Sequence, residues 1–358
     1  MPPTAYGGTE RVVAALADGL VDRGHDVVLF ASGDSKTRAR LVPLVERALW
    51  HDDRYSADLP FRLSTVSHAY EQARDLELDL MHSHADLFAF PEARHAPMST
   101  VSTLHGRLDL PELAPFFARF ADHPLVAVSD AQRAPLPGAS WIATVHHGLP
   151  DRFRPGTGAG GYLAFCGRMI PEKGIVDAIA LARRAELPLR IATRTPRPHP
   201  GDSQRHLEWD YYREVVRPLI DASPGVEWVG DLREADKERF FADALALAFP
   251  IVWPEPFGLV MIEALACGTP ILARPRGSVP EVVRPGENGL LGETLEELIE
   301  AARRIHEIDR AACRADFERR FTADRMAADY ERLYALLLAP GRLGEEHPPE
   351  QVEAAAAG

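Results

Sequence analysis

The sequence is poor in cysteine, poor in basic charge and without a long apolar run. Three of its 358 residues are cysteine, and they are widely spaced, so no disulfide framework or zinc ribbon is indicated. The 40 Lys and Arg stand against 53 Asp and Glu, and the formal net charge of −13 repels nucleic acid. No stretch approaches the roughly 20 apolar residues of a membrane span, and the first residues lack the pattern of a signal peptide. These absences predict a cytoplasmic protein with no membrane span and no nucleic-acid partner.

Length and composition predict a folded protein of two domains. Apolar residues make up 46% and charged residues 26%, close to the averages of soluble globular proteins. The stretch 150–161 is rich in Pro, Gly and Arg and poor in apolar residues, so we place the domain boundary there. The predicted division is an N-terminal domain, 1–150, a C-terminal domain, 151–321, a helix over about 322–339 that packs back on the first domain, and a disordered tail, 343–358.

Short apolar runs alternate with helix-like segments in both halves. Alternation of this kind predicts an α/β fold with parallel sheets covered by helices, and ligands at the carboxyl ends of the strands. The predicted strands are 26–31, 78–82, 98–104, 125–128, 141–145, 162–166, 187–192, 226–229, 245–249 and 270–273. The predicted helices are 10–23, 65–76, 175–185, 211–220, 237–242 and 259–266. The stretch 194–209 is predicted to be a long loop.

The start of the chain departs from the expected alternation. A doubly wound domain begins with a strand that leads into its glycine loop, but only residues 1–5, two of them proline, precede the loop at 6–9. Five such residues cannot make a central strand. We therefore expect the first strand of the N-terminal sheet to be missing, with a gap or a shifted neighbour in its place, or the native chain to start upstream of Met1.

The strongest motif is WPEPFGLVMIEALACGTP from Trp253 to Pro270. Pro256 and Gly258 open a predicted helix and Gly268 ends it, so the amides around Phe257 to Leu259 form a ready phosphate site. Glu255 lies before the predicted helix and Glu263 about a turn inside it, so the two address different parts of one elongated ligand. A carboxylate can accept two hydrogen bonds from a vicinal diol, which suits a ribose. The structural alternative is a partner of the helix dipole and an exposed helix glutamate.

A second motif, GRMIPEKG, directly follows the predicted strand 162–166. Arg168 lies at the carboxyl end of that strand and Lys173 at the entrance to the next helix, so both cations can converge on a diphosphate. The alternative is a solvated loop in which Lys173 pairs with Glu172.

These motifs resemble the GT-B glycosyltransferases, specifically the retaining family 4 enzymes with their E-x7-E motif. YGGTERVV from Tyr6, HSHADLFAFP from His82, TLHG from Thr103, VSDAQRAPLP from Val128 and RGSVPEVV from Arg276 extend the resemblance along nearly the whole chain. It implies two Rossmann-like domains that face each other across a cleft, the first on the acceptor side and the second binding the nucleotide sugar.

The resemblance also implies the residues of the site. Glu263 would hold the ribose, Glu255 the donor-sugar hydroxyls, and Arg168 and Lys173 the diphosphate. Gly8 would let the first loop approach the donor, and His105 would contact the transferred sugar. The implied catalytic residues are His105, Glu255, Arg168 and Lys173, and the implied donor-binding residues are Gly8, Arg168, Lys173, Glu255, Pro256, Phe257, Gly258, Leu259 and Glu263.

The implied activity is transfer of a sugar from a nucleoside diphosphate to an acceptor, with retention at the anomeric carbon and without a metal or other cofactor. The sequence carries no compact signature of the base, the sugar or the acceptor, and a UDP-sugar is the donor that we expect. The alternatives are a GT-B epimerase or phosphorylase, and a nucleotide-sugar-binding protein without activity.

Two places depart from the family. The stretch 194–209 is rich in Pro, Arg and His where relatives have a short acidic connector. His147 precedes Gly148 where the family usually has Asn-Gly, so we assign His147 no inherited role and expect a turn residue.

Three further constellations point elsewhere. His82 and His84 form an HxH that could ligate a metal, although alternate residues of a strand face opposite sides. Ser129 and Asp130 could be half of a hydrolase triad, but no G-x-S-x-G surrounds the serine, and a helix N-cap is the better interpretation. The glycines at 7 and 8 lack the full dinucleotide motif, which argues against a dehydrogenase.

Overall fold

The computed structural model describes residues 7–49, 59–198 and 203–339, and within them the strand pairings are parallel. The strands are β1 (Val28–Ser32), β2 (Arg40–Val45), β3 (Leu80–Ser83), β4 (Ser99–Thr103), β5 (Leu125–Ala127), β6 (Trp141–Thr144), β7 (Leu163–Cys166), β8 (Leu189–Ala192), β9 (Val226–Gly230), β10 (Ala246–Phe249), β11 (Ile271–Ala273) and β12 (Gly289–Leu291).

The first helix precedes β1, and the other helices lie between the strands or after them. They are α1 (Gly8–Asp22), α2 (Leu59–Asp75), α3 (Phe90–Ala93), α4 (Leu113–Arg119), α5 (Asp130–Arg133), α6 (Ile175–Ala185), α7 (Ser203–Tyr211), α8 (Arg217–Asp221), α9 (Glu234–Ala242), α10 (Leu259–Ala266), α11 (Val279–Val282), α12 (Leu295–Arg304), α13 (Arg310–Arg320) and α14 (Ala323–Leu338). In the described part of the chain, no helix is both long enough and apolar enough to span a bilayer.

The C-terminal half is built on a six-stranded sheet in the order β12-β11-β10-β7-β8-β9. The chain runs outward from β7 to β9, returns to the middle at β10 and then runs outward on the other side. Its central strands are apolar along their whole length because helices cover both faces, and all four residues of β10 are buried. Successive strands are added on one side of β7 up to β9 and on the other side from β10 onward. At such a switch point the loops after β7 and β10 border a crevice.

The strands of the N-terminal half form two separate sheets in the described residues. One has four strands in the order β3-β4-β5-β6, and the other contains β1 and β2. No pairing joins β1 to β3 in this part of the chain. The expectation about a missing first strand concerns the residues before Gly7, which lie outside the described residues.

The last helix of the described residues, α14, packs against α1. Met326, Tyr330 and Leu333 of α14 share a buried cluster with Val12 and Leu16 of α1. The polypeptide therefore returns to the N-terminal half after completing the C-terminal sheet.

The two crossings between the halves lie side by side. The amide of Leu149 donates to the carbonyl of Phe321 at 2.9 Å, and the amide of Ala323 donates to the carbonyl of Leu149 at 2.8 Å. Gly148 has no room for a side chain here, because a Cβ would lie 2.2 Å from the carbonyl oxygen of Thr322. The crossings are thus held in backbone contact.

Local patterns predicted several elements correctly. The helices 175–185 and 259–266 are confirmed as α6 and α10. Gly24 follows the first helix with a φ of 90°, as expected of a glycine that ends a helix, although α1 begins two residues before the predicted start.

The predicted loop 194–209 is wrong from Ser203 onward, where α7 begins. The segment has few apolar residues, and its helical state depends on tertiary packing: Trp209 contacts Tyr212 at a ring distance of 5.9 Å, and Tyr212 contacts Trp228 at 5.2 Å. The predicted helix 211–220 is the end of α7, a π-helix over Tyr212–Val216 and then α8. Residues 199–202 and the predicted disordered tail 343–358 lie outside the described residues.

Candidate active site

The loop after β10 leads into the start of α10. Gly258 is the N-cap residue of α10 with a φ of 79°, and a Cβ at this position would lie 2.9 Å from Cε of Met261. Both the left-handed backbone and the crowding require glycine. The amides of Phe257, Gly258 and Leu259 have no hydrogen-bond acceptor among the described residues. The helix therefore presents free N–H groups at the positive end of its dipole, which is an arrangement suited to an anion.

Three consecutive carbonyl groups of the same loop, in contrast, are occupied. Ser278 donates from its amide to the carbonyl of Glu255 at 2.9 Å and from its hydroxyl to that of Phe257 at 2.8 Å. Ser129, from the N-terminal half, donates to the carbonyl of Pro256 at 2.6 Å. These bonds fix the loop by the carbonyls of residues 255–257, while the amides of residues 257–259 remain available.

Glu255 is buried beside a cation and an indole. Lys173 Nζ lies 2.5 Å from Oε2 of Glu255, and Trp253 Nε1 donates to the same oxygen at 2.7 Å. Nζ of Lys173 also lies 4.7 Å from the centre of the Trp253 ring. The alternative in which Lys173 pairs with Glu172 is therefore wrong, because the lysine reaches 82 residues along the chain instead.

The loops after β7 and β10 touch because the two strands are neighbours in the sheet. The amide of Val252 donates to the carbonyl of Glu172 at 3.0 Å. Gly174 has a φ of 72°, and a Cβ there would lie 2.0 Å from the carbonyl oxygen of Pro250. Arg168 follows β7 at this edge, half-buried, and has no hydrogen bond or ion pair with any described residue. An unpaired guanidinium thus lies at the carboxyl edge of the strands.

Glu263 is almost fully buried, with a relative exposure of 2%. Its Oε1 is bonded to Arg11 of α1, and Lys237 Nζ lies 3.3 Å from the same oxygen. Burial by itself raises the pKa of Glu263, but Lys237 and Arg11 together lower it below its usual value. The alternative of an exposed helix glutamate is wrong, and the carboxylate is held in its charged form.

Arg11 and Lys237 were not among the residues predicted from sequence. Arg11 is only 6% exposed, which is rare for an arginine without a buried partner. Its one signal in the sequence is a charge beside the apolar positions of the first helix. The partner itself could not be identified, because Glu263 is 252 residues away.

Gly8 is the first residue of α1 and faces the start of α10. A Cβ at Gly8 would lie 3.1 Å from Cδ1 of Leu259. The glycine loop of the N-terminal half therefore reaches the first residue of the helix that carries the free amides.

His105 follows β4 within a group of imidazole rings. Its Nε2 lies 2.9 Å from Nδ1 of His84, which follows β3. The ring of His147, after β6, stacks on His105 with a centroid distance of 5.2 Å and an interplanar angle of 20°. His147 in turn contacts the edge of Phe257 at 4.8 Å. These contacts connect the N-terminal half to the loop before α10.

The prediction of a turn residue at His147 did not include the burial of its side chain or its ring contacts. The side chain is 4% exposed, and its Nδ1 has no partner among the described residues. Burial lowers the pKa of His105 to about 4 and the pKa values of His84 and His147 well below the usual value. All these rings are uncharged at neutral pH.

Neither the metal nor the hydrolase alternative fits the geometry. Both ring nitrogens of His82 are engaged, Nδ1 with the Tyr334 hydroxyl at 2.6 Å and Nε2 with Thr103 Oγ1 at 2.8 Å, so this ring is not available to a metal. Ser129 accepts from the amide of Gln132 at 3.0 Å. The prediction that Ser129 is a helix N-cap is confirmed.

A further contact between the halves involves Glu281 of α11. Its carboxylate accepts from the amides of Asp130 and Ala131 at 2.9 and 2.8 Å and lies 2.9 Å from Nε2 of His146. A residue of the C-terminal half thus completes the N-terminus of α5 in the other half.

Taken together, the elements at this edge define a class of site. Two cations, free amides and buried carboxylates lie at the switch point of a doubly wound sheet, beneath a second α/β unit. Such a site is suited to a ligand that has both phosphates and hydroxyl groups.

Comparison with known proteins assigns the family. The family described as Glycosyltransferase Family 4 matches residues 6–148, and Glycosyl transferases group 1 matches residues 160–307. Together the two matches span most of the chain. The protein belongs to the glycosyltransferases of family 4 type and has the GT-B fold of two Rossmann-like units.

Individual relatives agree with this assignment. Glycogen synthase of Mycobacterium tuberculosis is 25% identical over 344 residues, which is 81% of this chain and 79% of that protein. Alpha-maltose-1-phosphate synthase of Mycolicibacterium smegmatis is 32% identical over 130 residues, but the match spans only 36% of this chain and 32% of that protein. The structure of Anabaena HepE in complex with UDP-glucose has a TM-score of 0.69 at 20% identity, covering 93% of this chain and 97% of that one, and this likeness concerns the fold.

Proposed function

We propose that the protein is a retaining glycosyltransferase that moves a sugar from a nucleoside diphosphate to an acceptor. The observation that carries the proposal is that Arg168 is unpaired after β7 and that the amides of residues 257–259 are free after the neighbouring strand β10. Negative charge grows on the departing diphosphate as the sugar bond breaks. Donors that are already in place stabilise this charge without having to reorganise.

Lys173 is the second cation for the diphosphate. In the structure without ligand it is bonded to Glu255, so a phosphate would share or take over that contact. The ammonium group can serve both, because it has three donors. Glu255 would then keep its bond to Trp253 and direct its other oxygen to hydroxyl groups of the donor sugar.

Glu263 is the proposed ribose partner. A carboxylate that stays charged accepts hydrogen bonds from both hydroxyl groups of a diol, and Lys237 and Arg11 maintain that charge. The full proposed donor site also includes Gly8, Pro256, Phe257, Gly258 and Leu259, with His105 at the transferred sugar. The reaction as proposed needs no metal and no further cofactor, since the cations and amides replace one. The leaving phosphate oxygen is the proposed base for the acceptor.

The related HepE structure is a complex with UDP-glucose, so a UDP-sugar is the first donor to test. We also propose the division into an acceptor-side domain, 1–150, with the helix 322–339 on it, and a nucleotide-sugar domain, 151–321. The packing of α14 on α1 supports this division. A cytoplasmic location, where nucleotide sugars are available, is part of the same proposal.

A nucleotide panel tests the donor site first. UDP, GDP and ADP are compared by thermal shift, since a ligand at a hundred times its dissociation constant stabilises by about 2.7 kcal/mol. One nucleotide is expected to stabilise the protein clearly more than the others. No stabilisation by any of them at millimolar concentration would contradict the proposal.

Product analysis then decides between transfer and its alternatives. Proton NMR of the new glycosidic bond is expected to show the anomeric configuration of the donor, with turnover that persists in EDTA. An inverted linkage would rule out the retaining mechanism. Sugar release or epimerisation without an acceptor would favour an epimerase or phosphorylase, and tight donor binding with no turnover would favour an inactive binding protein.

A further inference from the structure

The ring contacts around His105 fix the position of a side chain that, in the proposed reaction, contacts the transferred sugar. We name His84, His105 and His147 the histidine row. The three residues follow β3, β4 and β6 of one parallel sheet, so their side chains meet at its carboxyl edge. One hydrogen bond joins two members of the row, between Nδ1 of His84 and Nε2 of His105 at 2.9 Å.

That hydrogen bond restricts the protonation state of His105. A neutral imidazole carries one N–H, so in a bond between two neutral rings one nitrogen donates and the other accepts. The bond engages Nε2 of His105. Its Nδ1 is then the one ring nitrogen of His105 without a partner in the described residues, and its state, donor or acceptor, is set by the role of Nε2.

The stack with His147 limits the movement of the same ring. The ring planes of His147 and His105 differ by 20°, and the ring of His147 also packs against that of Phe257 with a centroid distance of 4.8 Å. A ring held by a stack and by one directed hydrogen bond has few orientations left. If the hydrogen bond is removed, the stack still permits the ring to flip about its Cβ–Cγ bond, which places Cδ2 where Nδ1 was, and no partner then fixes which of the two nitrogens carries the proton.

We propose that His84 is a positioning residue that holds His105 in one orientation and one tautomer, so that Nδ1 of His105 meets a hydroxyl group of the transferred sugar. This inference rests on the proposed function, in which His105 contacts that sugar. His84 does not contact the sugar itself and acts through His105.

Two amide variants separate the hydrogen bond from simple space filling. The side-chain amide of Asn lies at the same number of bonds from Cα as Nδ1 of histidine, whereas that of Gln lies one bond further, at the distance of Nε2. His84→Asn can therefore keep the bond to His105, and His84→Gln cannot keep it in the same place. A role in packing alone would favour Gln, because its volume is closer to that of histidine.

The test compares wild type, His84→Asn, His84→Gln and His84→Ala by two measurements. Long-range ¹⁵N–¹H correlation spectra of histidine-labelled protein report the tautomer of His105, with His105→Gln used to assign its signals. We expect a single tautomer in wild type and in His84→Asn, and averaging between the two tautomers in His84→Gln and His84→Ala. Steady-state kinetics should show kcat lowered about 10- to 100-fold in the latter two, with the donor KM changed less than about 3-fold.

Two results would overturn the inference. One is a His84→Gln protein that retains the wild-type tautomer and kcat, and the other is a His84→Asn protein that loses as much kcat as His84→Ala. The NMR measurement needs no turnover. If wild type transfers no sugar from any donor, the proposed function fails, while the spectra still decide whether His84 sets the state of His105.

Discussion

At the scale of single residues, the two proposed diphosphate cations differ in what already binds them. Arg168 has no partner in the described residues, whereas Lys173 is bonded to Glu255. Removal of Arg168 therefore leaves no buried charge behind. Removal of Lys173 leaves the carboxylate of Glu255 with one side-chain partner in the described part of the chain, the indole N–H of Trp253.

We expect Arg168→Ala to lower kcat about 100-fold or more, as for the loss of one donor to a developing negative charge, and to leave stability nearly unchanged. Lys173→Ala should lower kcat at least as much and also reduce the unfolding midpoint, because it leaves Glu255 buried without its cation. Steady-state kinetics and urea unfolding measure the two effects. Arg183→Ala and Lys36→Ala, at exposed positions, are the controls. Normal turnover by the Arg168→Ala/Lys173→Ala double variant at saturating donor would show that neither cation stabilises the departing diphosphate.

Trp253 allows a finer test of the same group. Trp253→Phe keeps an aromatic ring near Lys173 but removes the N–H that donates to Glu255 at 2.7 Å. We expect kcat to fall about 10-fold, as Glu255 loses one of the two bonds that orient it, with a larger fall in Trp253→Leu, which also loses the ring. Equal activity in Trp253→Phe and wild type would show that the indole N–H does not orient Glu255 for the reaction.

At the scale of elements, α5 depends on a residue from the other half of the molecule. This helix has one turn, and its first amides donate to Glu281 of α11 and to Ser129. A short helix obtains little stability from its own hydrogen bonds, so it requires these partners. Glu281 and Ser129 thus connect the folding of the element to the contact between the halves.

Glu281→Ala should therefore reduce the free energy of unfolding by about 1–3 kcal/mol, because two amides lose a charged acceptor. Glu281→Gln, which can still accept one of these bonds, should lose less. Urea unfolding at pH 7 measures both. Glu287→Ala, an exposed glutamate nearby, should change stability by less than about 0.5 kcal/mol. A loss in Glu287→Ala equal to that in Glu281→Ala would rule out a specific role of the α5 contact.

At the scale of the whole molecule, buried histidines connect stability to pH. Burial lowers the pKa of His82 to about 3, and those of His105 and His123 to about 4. In the unfolded chain the same groups have pKa values near 6.5, so between pH 6.5 and pH 4 the unfolded state binds more protons than the folded state. The stabilising contribution is therefore fully present above about pH 6.5 and is lost as the pH falls toward 4.

We expect the free energy of unfolding to fall by about 1.4 kcal/mol per pH unit for each of these histidines over that interval. Urea unfolding at pH 7, 6 and 5 measures the slope. His123→Asn removes one of these histidines and should reduce the slope by about 1.4 kcal/mol per pH unit, although it also alters the contact with Ser102. His95→Asn, at an exposed position, should leave the slope unchanged. A wild-type slope that His123→Asn does not change would contradict the low pKa of His123.

The elements with strong local patterns were predictable from sequence. Gly258, the apolar run of α10 and Gly268 lie within one short stretch, and the physics that forms the helix acts between neighbours. The alternation of strands and helices predicted the doubly wound sheet of the C-terminal half for the same reason. Elements with weak patterns were missed: β2 contains Pro43, β12 has three residues, and α7 has few apolar positions.

The amino-acid sequence by itself determined the fold class, the family and the chemical types present at the strand ends. Only the tertiary structure decided which of these groups act on one another. Glu263 pairs with Arg11 across 252 residues, Lys173 with Glu255 across 82, and His84 with His105 across 21. Local patterns contain no information on such pairs, because the partners meet only when separate strands align their carboxyl ends at one edge and the two halves close on each other.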